Sequence, residues 1–169
     1  MNADEIKTLL LCYWRFERGC EIVSTEFNYG ASDVISVNLN EMSIYETEVK
    51  VSVADMKREC RKSKHRRTPT KRVTNYFYFA VPDVMKEAAL SLCKEFFPYA
   101  GLLVVRDYEE YLKANEKPYV APPISEVKRA QSFGLQPVDQ KTIFWLARGM
   151  SNTLCSKAYQ LMRLRRQHS

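Results

Sequence analysis

The first group in the sequence that could carry chemistry is the pair of charged residues in Glu48-Val49-Lys50. In a β-strand, Glu48 and Lys50 project from one face of the sheet and Val49 from the other. The pattern alone says little, because ordinary composition gives roughly 0.6 such tripeptides in a chain of this length. Its meaning depends on a second carboxylate, Asp33, and on where the fold places it.

A hairpin would bring the two carboxylates together. The alternating segments 33–39 and 44–51 predict two strands, and the polar residues between them predict a turn. If the turn is tight, paired residues have numbers that sum to 81, and Asp33 lies opposite Glu48. Directly opposed residues share a face, with Cβ atoms about 4.5–5.5 Å apart. A three-residue turn would pair Asp33 with Thr47 instead.

Two carboxylates at this distance repel each other unless a cation lies between them. Oxygen ligands on a rigid sheet suit Mg²⁺ or Mn²⁺. Lys50, on the same face, could then orient an attacking water or stabilise the charge that develops on a phosphate. The alternative is that Asp33, Glu48 and Lys50 form the solvated face of an ordinary amphipathic hairpin.

Basic residues are concentrated in one segment. Between residues 57 and 72 there are nine Lys or Arg and one acid, a formal charge of +8 in a chain whose net charge is +6. The rest of the chain is therefore mildly acidic. Such a segment indicates a local anion-binding surface or, alternatively, a solvated charged face. The residues expected to contact nucleic-acid phosphates are Arg61, Lys62, Lys64, Arg66 and Arg67.

The elements that must position these residues follow from hydrophobic periodicity. The pattern predicts helices over 3–18, 53–64, 84–95 and 138–165, and strands over 21–27, 33–39, 44–51, 75–81 and 101–106. This order, α-β-β-β-α-β-α-β and then a long helix, predicts an α/β fold with a mixed sheet flanked by helices. Pro118, Pro122, Pro123 and Pro137 indicate a connector. The predicted organisation is a core over 1–107, a connector over 108–137 and a C-terminal helix over 138–169.

The last predicted helix has an apolar face and a basic end at Arg163, Arg165 and Arg166. Packing on the sheet, formation of a homodimer, binding of a protein partner and contact with DNA are the roles considered for it.

Composition excludes several other functions. His65 and His168 are the only histidines. Two histidines are too few for a His-rich metal site and argue against most Ser–His or Cys–His catalytic schemes. The five cysteines include no Cys-x-x-Cys pair and predict reduced thiols. No Gly-rich phosphate loop is present. The sequence shows neither a signal peptide nor an apolar run near the roughly 18 residues that span a bilayer, so a cytoplasmic protein without a membrane partner is expected.

Several segments, in this order and spacing, resemble the PD-(D/E)XK (restriction-endonuclease-like) nuclease superfamily, and within it the MmcB-like DNA-repair group and related phage proteins. The resemblance covers about residues 3–106, and its segments are 31–37 (ASDVISV), 48–55 (EVKVSVAD), 62–65 (KSKH), 76–82 (YFYFAVP) and 100–105 (AGLLVV). It implies a restriction-endonuclease-like sheet with an extra C-terminal helix. Ser32 stands where the name of the superfamily has proline.

By this resemblance, Asp33 and Glu48 are metal ligands and Lys50 is the catalytic lysine. Asp55 and Lys62 match further motif positions, without an assigned role. Many members have a third carboxylate on the first helix or strand, and Glu5, Glu17 and Glu26 are all candidates for it.

Three functions follow as hypotheses. The first is a nuclease dependent on Mg²⁺ or Mn²⁺ that hydrolyses phosphodiester bonds of DNA, with RNA left open, in DNA repair or in a phage or mobile element. The second is a nucleic-acid-binding module with the same fold and no useful turnover. The third is a phage regulatory protein that binds a protein partner through its last helix.

Overall fold

The computed structural model describes residues 1–27, 32–62, 65, 74–109, 121–134 and 138–167. The helices are α1 (Ala3–Cys12), α2 (Val53–Glu59), α3 (Lys86–Phe96) and α4 (Gln140–Gln167). The strands are β1 (Ile22–Phe27), β2 (Ser32–Asn38), β3 (Ser43–Val49), β4 (Tyr76–Pro82), β5 (Gly101–Val105) and β6 (Ile124–Lys128). A π-helical turn (Tyr13–Glu17) extends α1, and a 3₁₀ turn (Asp83–Met85) precedes α3.

The six strands form one mixed sheet in the order β1-β2-β3-β4-β5-β6. The first three strands are antiparallel, β3, β4 and β5 run parallel, and β6 is antiparallel to β5. The two parallel connections contain α2 and α3, as a helical crossover requires. The α/β class with a mixed sheet flanked by helices is therefore confirmed, and so is the predicted order of elements through β5.

The connector interpretation of residues 108–137 is wrong for its second half. Residues Ile124–Lys128 form β6, the edge strand beside β5, so the sheet extends past the boundary predicted at residue 107. Backbone hydrogen bonds hold this segment on both sides, from Arg106 N to Pro123 O and from Gln131 N to Tyr99 O, each 2.9 Å long.

The hairpin between β2 and β3 has the predicted register. Val34 pairs with Thr47 and Asn38 with Ser43, so paired numbers sum to 81. The turn is stabilised where the Asn38 side chain accepts a hydrogen bond from Glu41 N at 3.0 Å. Met42 closes the turn with a φ of +48°, in the left-handed region.

The sheet buries apolar side chains on both faces. On one face, α1 and Trp14 cover β2, β3 and β4. On the other face, α2 and α3 cover β4 and β5, while the first half of α4 covers β1, β2 and β3. Because Ile44 and Glu48 are four residues apart in β3, the Glu48 side chain belongs to the face that α2 and α4 cover.

Among the described residues, no helix combines the length and the hydropathy that crossing a lipid bilayer requires.

Candidate functional site

The site forms where β3 ends and α2 begins. Lys50 directly follows β3, and its backbone N–H donates to Ala80 O of β4 at 2.9 Å, which fixes the residue at the end of the sheet. Ser52 is the N-cap of α2, and its side chain accepts from Asp55 N. This tight junction turns α2 back over the end of β3, so that charged side chains of the strand and of the helix meet.

The Lys50 ammonium lies among three carboxylates. Its Nζ is 2.9 Å from Glu48 Oε1, 2.8 Å from Glu59 Oε2 and 3.7 Å from Asp55 Oδ2. The side chain is only 5% exposed. Burial by itself would lower the pKa of Lys50, but the hydrogen bonds and charges of Glu59 and Glu48 raise it above its ordinary value. Lys50 is therefore a charged ammonium near neutral pH.

Glu59 is the most buried charge of the site, with a side chain that is 0% exposed. Its Oε2 is 2.8 Å from Lys62 Nζ as well as from Lys50 Nζ, and its Oε1 is 3.0 Å from His65 Nε2. Burial alone would raise the pKa of Glu59. The hydrogen bond with His65 and the ion pairs with Lys50 and Lys62 outweigh it and hold the pKa of Glu59 well below its ordinary range.

His65 connects Glu59 to the aromatic core. Its Nδ1 lies 2.6 Å from the Tyr99 hydroxyl, and its ring makes edge contacts with Phe77 and Phe97. Both ring nitrogens are thus engaged, Nε2 with Glu59 at 3.0 Å and Nδ1 with Tyr99. The ring packing and this pair of hydrogen bonds fix the orientation of Glu59.

Asp33 lies at the same end of the sheet, one position beyond the paired residues Val34 and Thr47, and so in register with Glu48. Its Oδ2 accepts from Val49 N at 2.8 Å, and its Oδ1 is 3.4 Å from Lys7 Nζ of α1. The side chain is 26% exposed. Asp33 is thus tied to the backbone of the strand that carries Glu48, while a lysine from the first helix neutralises it.

The donor chemistry of this pair fits a hard divalent cation. Mg²⁺ is usually bound by one or two carboxylates together with waters and substrate phosphates rather than by a full protein cage. Asp33 and Glu48 supply two carboxylates at one sheet end. In the part of the chain that the structure describes, no three His, Cys, Asp or Glu side chains are grouped to hold a metal, so a cation here would depend on water and phosphate ligands.

The predicted phosphate-binding residues fall partly on described positions. Arg61 is exposed, as such a role requires. Lys62 is 50% exposed, and its Nζ lies 2.8 Å from Glu59 and 3.3 Å from Glu48. Lys64, Arg66 and Arg67 lie outside the described residues.

Of the three candidates for a third carboxylate, Glu5 and Glu17 do not join the site. Glu5 completes a capping box at the start of α1, where its carboxylate accepts from Asn2 N. Glu17 is exposed in the π-helical turn, and the Glu26 side chain lies outside the description. The carboxylate that the structure adds is Glu59, and it gives Asp55, four residues earlier on α2, a place beside Lys50. The sequence feature that could have identified this pair is the four-residue spacing on a helix that directly follows Lys50.

The charges of the site predict a pH dependence of stability. A carboxyl group with a lowered folded pKa stabilises the protein above its unfolded pKa and loses this contribution as pH falls toward the folded value. For Glu59 the loss begins below about pH 5. We expect the urea midpoint to fall between pH 5 and pH 3, and to fall less steeply in Glu59→Gln. Equal slopes in the two proteins would contradict the assignment.

The raised pKa of Lys50 acts at the other end of the pH scale. A cation with a raised folded pKa stabilises the protein below its unfolded pKa and loses that contribution only as pH rises through the folded value. Lys50 therefore contributes fully throughout the neutral range, where the urea midpoint is expected to stay level.

Comparison of the chain with protein-family models, with curated proteins and with solved structures gave no match. The case for a function therefore depends on the geometry and charge of the site itself.

Proposed function

We propose that this chain is a metal-dependent nuclease of the PD-(D/E)XK, restriction-endonuclease-like type that hydrolyses phosphodiester bonds of DNA. The observation that supports it is the arrangement at one sheet end: a buried, charged Lys50 is held by Glu48, and Asp33 follows the paired residues of the neighbouring strand, in backbone register with Glu48. An exposed solvated hairpin face, the alternative from the sequence, is inconsistent with Glu48 and Lys50 side chains that are each 5% exposed.

Asp33 and Glu48 are the residues that would hold Mg²⁺ or Mn²⁺. When bound, such a cation polarises the phosphate and makes a bound water a stronger nucleophile. Asp33 is prepared for this role because its Oδ2 is anchored by Val49 N–H, which limits how far the carboxylate can rotate.

Lys50 acts in this proposal by its charge. Because Glu59 and Glu48 keep it protonated, it cannot remove a proton from water near neutral pH, but it can donate hydrogen bonds to a phosphate oxygen. Its contact with the buried Glu59 holds the ammonium in place, so its position costs no reorganisation when charge develops on the phosphate.

A second function is favoured by a specific observation. Both proposed ligands are already paired with lysines, Asp33 with Lys7 at 3.4 Å and Glu48 with Lys50 at 2.9 Å. A site whose carboxylates are neutralised by the protein itself has less need of a metal. The same fold would then serve as a nucleic-acid-binding module without turnover.

A cleavage assay separates the two functions. Labelled single-stranded, duplex and branched DNA are incubated with Mg²⁺ or Mn²⁺ and with wild type, Asp33→Asn or Glu48→Gln. We expect metal-dependent cutting by wild type and a loss of at least about 100-fold in both variants, since each removes a ligand charge. Asp33 is the sharper site to test because its partial exposure makes misfolding of that variant less of a concern.

Glu87→Gln is the matched control, an equal change at an exposed position of α3. It should cut like wild type, and urea unfolding of every variant confirms that it is folded. Wild type that binds DNA without cutting any substrate would reject the nuclease in favour of the binding module. Cutting that survives both ligand substitutions would reject the assigned site.

A further inference from the structure

Helix α4 has an unusual charge composition. Its 28 residues include no Asp or Glu. Its basic residues number six: Lys141, Arg148, Lys157, Arg163, Arg165 and Arg166. Among the described residues, no carboxylate forms an ion pair with Lys141 or Arg148. Lys141 and Arg148 therefore present positive charge that no described carboxylate neutralises.

The first half of α4 packs on the sheet. Leu146 is 1% exposed, and Ile143, Ala147 and Met150 pack against the core formed by β1, β2 and β3. Beyond Met150, every side chain that the structure describes is exposed, namely Ser151, Asn152, Leu154, Cys155, Ala158, Tyr159 and Met162. The described side chains of the second half thus form a surface that is open to solvent.

One line of exposed residues follows α4 from its first turn to its last. Spacings of three and four residues place these side chains on one side of a helix. We call them the basic–aromatic stripe: Lys141, Phe144, Arg148, Asn152, Cys155, Tyr159 and Met162. All seven are exposed, Phe144 by 74% and Tyr159 by 60%. At 1.5 Å per residue the stripe is about 30 Å long.

The composition of the stripe selects its partner. A second copy of the chain would bring an equally basic, acid-free helix against it, which charge repulsion disfavours. A lipid surface favours helices whose apolar and basic residues lie on separate faces, whereas here Lys141 and Arg148 alternate with Phe144 and Tyr159 along one line. Basic side chains interleaved with exposed aromatic rings suit a single-stranded nucleic acid, whose phosphates pair with the cations and whose unpaired bases stack on the rings.

We propose that the basic–aromatic stripe binds single-stranded nucleic acid. This deepens the proposed function and depends on it for biological meaning, because the stripe would hold substrate outside the cleavage site. The packed half of α4 lies on the same face of the sheet as Glu48, so a strand along the helix runs on that side of the molecule. Sequence specificity is not expected, since phosphate contacts and stacking do not read base edges.

The first test measures affinity. Fluorescence anisotropy with a labelled 20-nucleotide strand of mixed sequence, without divalent metal, compares wild type with Lys141→Gln/Arg148→Gln. We expect binding to weaken on the order of 10-fold at low salt, and the slope of log K against log salt to become shallower by about 1.4, for two lost phosphate contacts. The control is Lys94→Gln/Arg129→Gln, which removes the same charge from exposed positions outside α4. An equal loss in both variants would reject the stripe.

The second test uses Cys155, which lies within the stripe. Of the five cysteines, Cys20 and Cys93 are buried, and burial raises the pKa of these thiols to about 12 and about 11, so both react slowly. We expect the single strand to slow maleimide labelling of Cys155 several-fold, as read by peptide mass mapping. Polyglutamate and anionic lipid vesicles are run in parallel, and protection by either of these but not by DNA would overturn the proposal.

The two proposals can fail separately. Wild type that cuts DNA but shows neither stripe-dependent affinity nor protection of Cys155 would retain the nuclease and reject the stripe. Wild type that binds through the stripe but cuts nothing would retain the stripe and reject the nuclease.

Discussion

Glu59→Gln is expected to lower the free energy of unfolding by about 3–5 kcal/mol, the usual cost of removing one partner from a buried ion pair. Glu59 is 0% exposed and contacts two lysines and a histidine. Glutamine has nearly the same shape, so the loss comes from charge rather than from packing. Lys50, itself 5% exposed, would keep Glu48 at 2.9 Å and Asp55 at 3.7 Å but lose its most buried carboxylate partner.

Urea unfolding at pH 7 measures this effect. Glu95→Gln is the matched control, because it makes the same change at an exposed position of α3 and should stay within about 0.5 kcal/mol of wild type. The double variant Lys50→Met/Glu59→Gln is expected to lose less than the sum of the two single variants, since it removes both charges together. A Glu59→Gln protein as stable as wild type would mean that the buried carboxylate contributes nothing to the fold.

The site in the structure is only partly the one that the sequence predicts. Asp33 and Glu48 come into register because alternation in two β-branched segments and a polar turn are local signals, and the hairpin follows from them. Glu59 is different. It precedes a run of basic residues on a short helix, where a charged side chain is usually solvated. Its burial depends on how α2 packs over the sheet, which no local pattern specifies.

The difference between local sequence signals and tertiary contacts also explains why the sequence does not predict β6. Residues 124–128 are short and carry Ser125, Glu126 and Lys128, and two prolines precede them. These are features of an edge strand, because an edge can be polar and tolerates proline where no ladder hydrogen bond is needed. In sequence they look like a connector. β6 is defined by its pairing with β5 and by the Glu126 carboxylate, which accepts from the Tyr78 hydroxyl at 2.7 Å and pairs with Arg18 at 2.9 Å.

Helix α4 shows a third kind of difference. Its apolar periodicity predicts one continuous packing face, but every side chain that the structure describes beyond Met150 is exposed. Periodicity reports what a helix can bury and not how much surface the rest of the fold offers. Leu154, in the second half, remains 67% exposed for this reason.

Trp14 is the residue of the opposite face on which the position of β3 most depends. It is 1% exposed, and its indole Nε1–H donates to Thr47 Oγ1 at 3.1 Å. Its ring centroid lies 4.9 Å from that of Tyr45, also in β3. Because Thr47 directly precedes Glu48, Trp14 stabilises the site segment of β3 from the opposite face of the sheet.

Trp14→Ala is therefore expected to lower the free energy of unfolding by about 3–5 kcal/mol, through the cavity left behind and the lost hydrogen bond. Phe16→Ala is the control within the same π-helical turn, since Phe16 is 62% exposed and its loss should cost no more than about 0.5 kcal/mol. Urea unfolding followed by circular dichroism measures the free energy of unfolding of both variants. Similar stabilities for the two variants would show that β3 is held from the α2 side, through Lys50 and Glu59, rather than through Trp14.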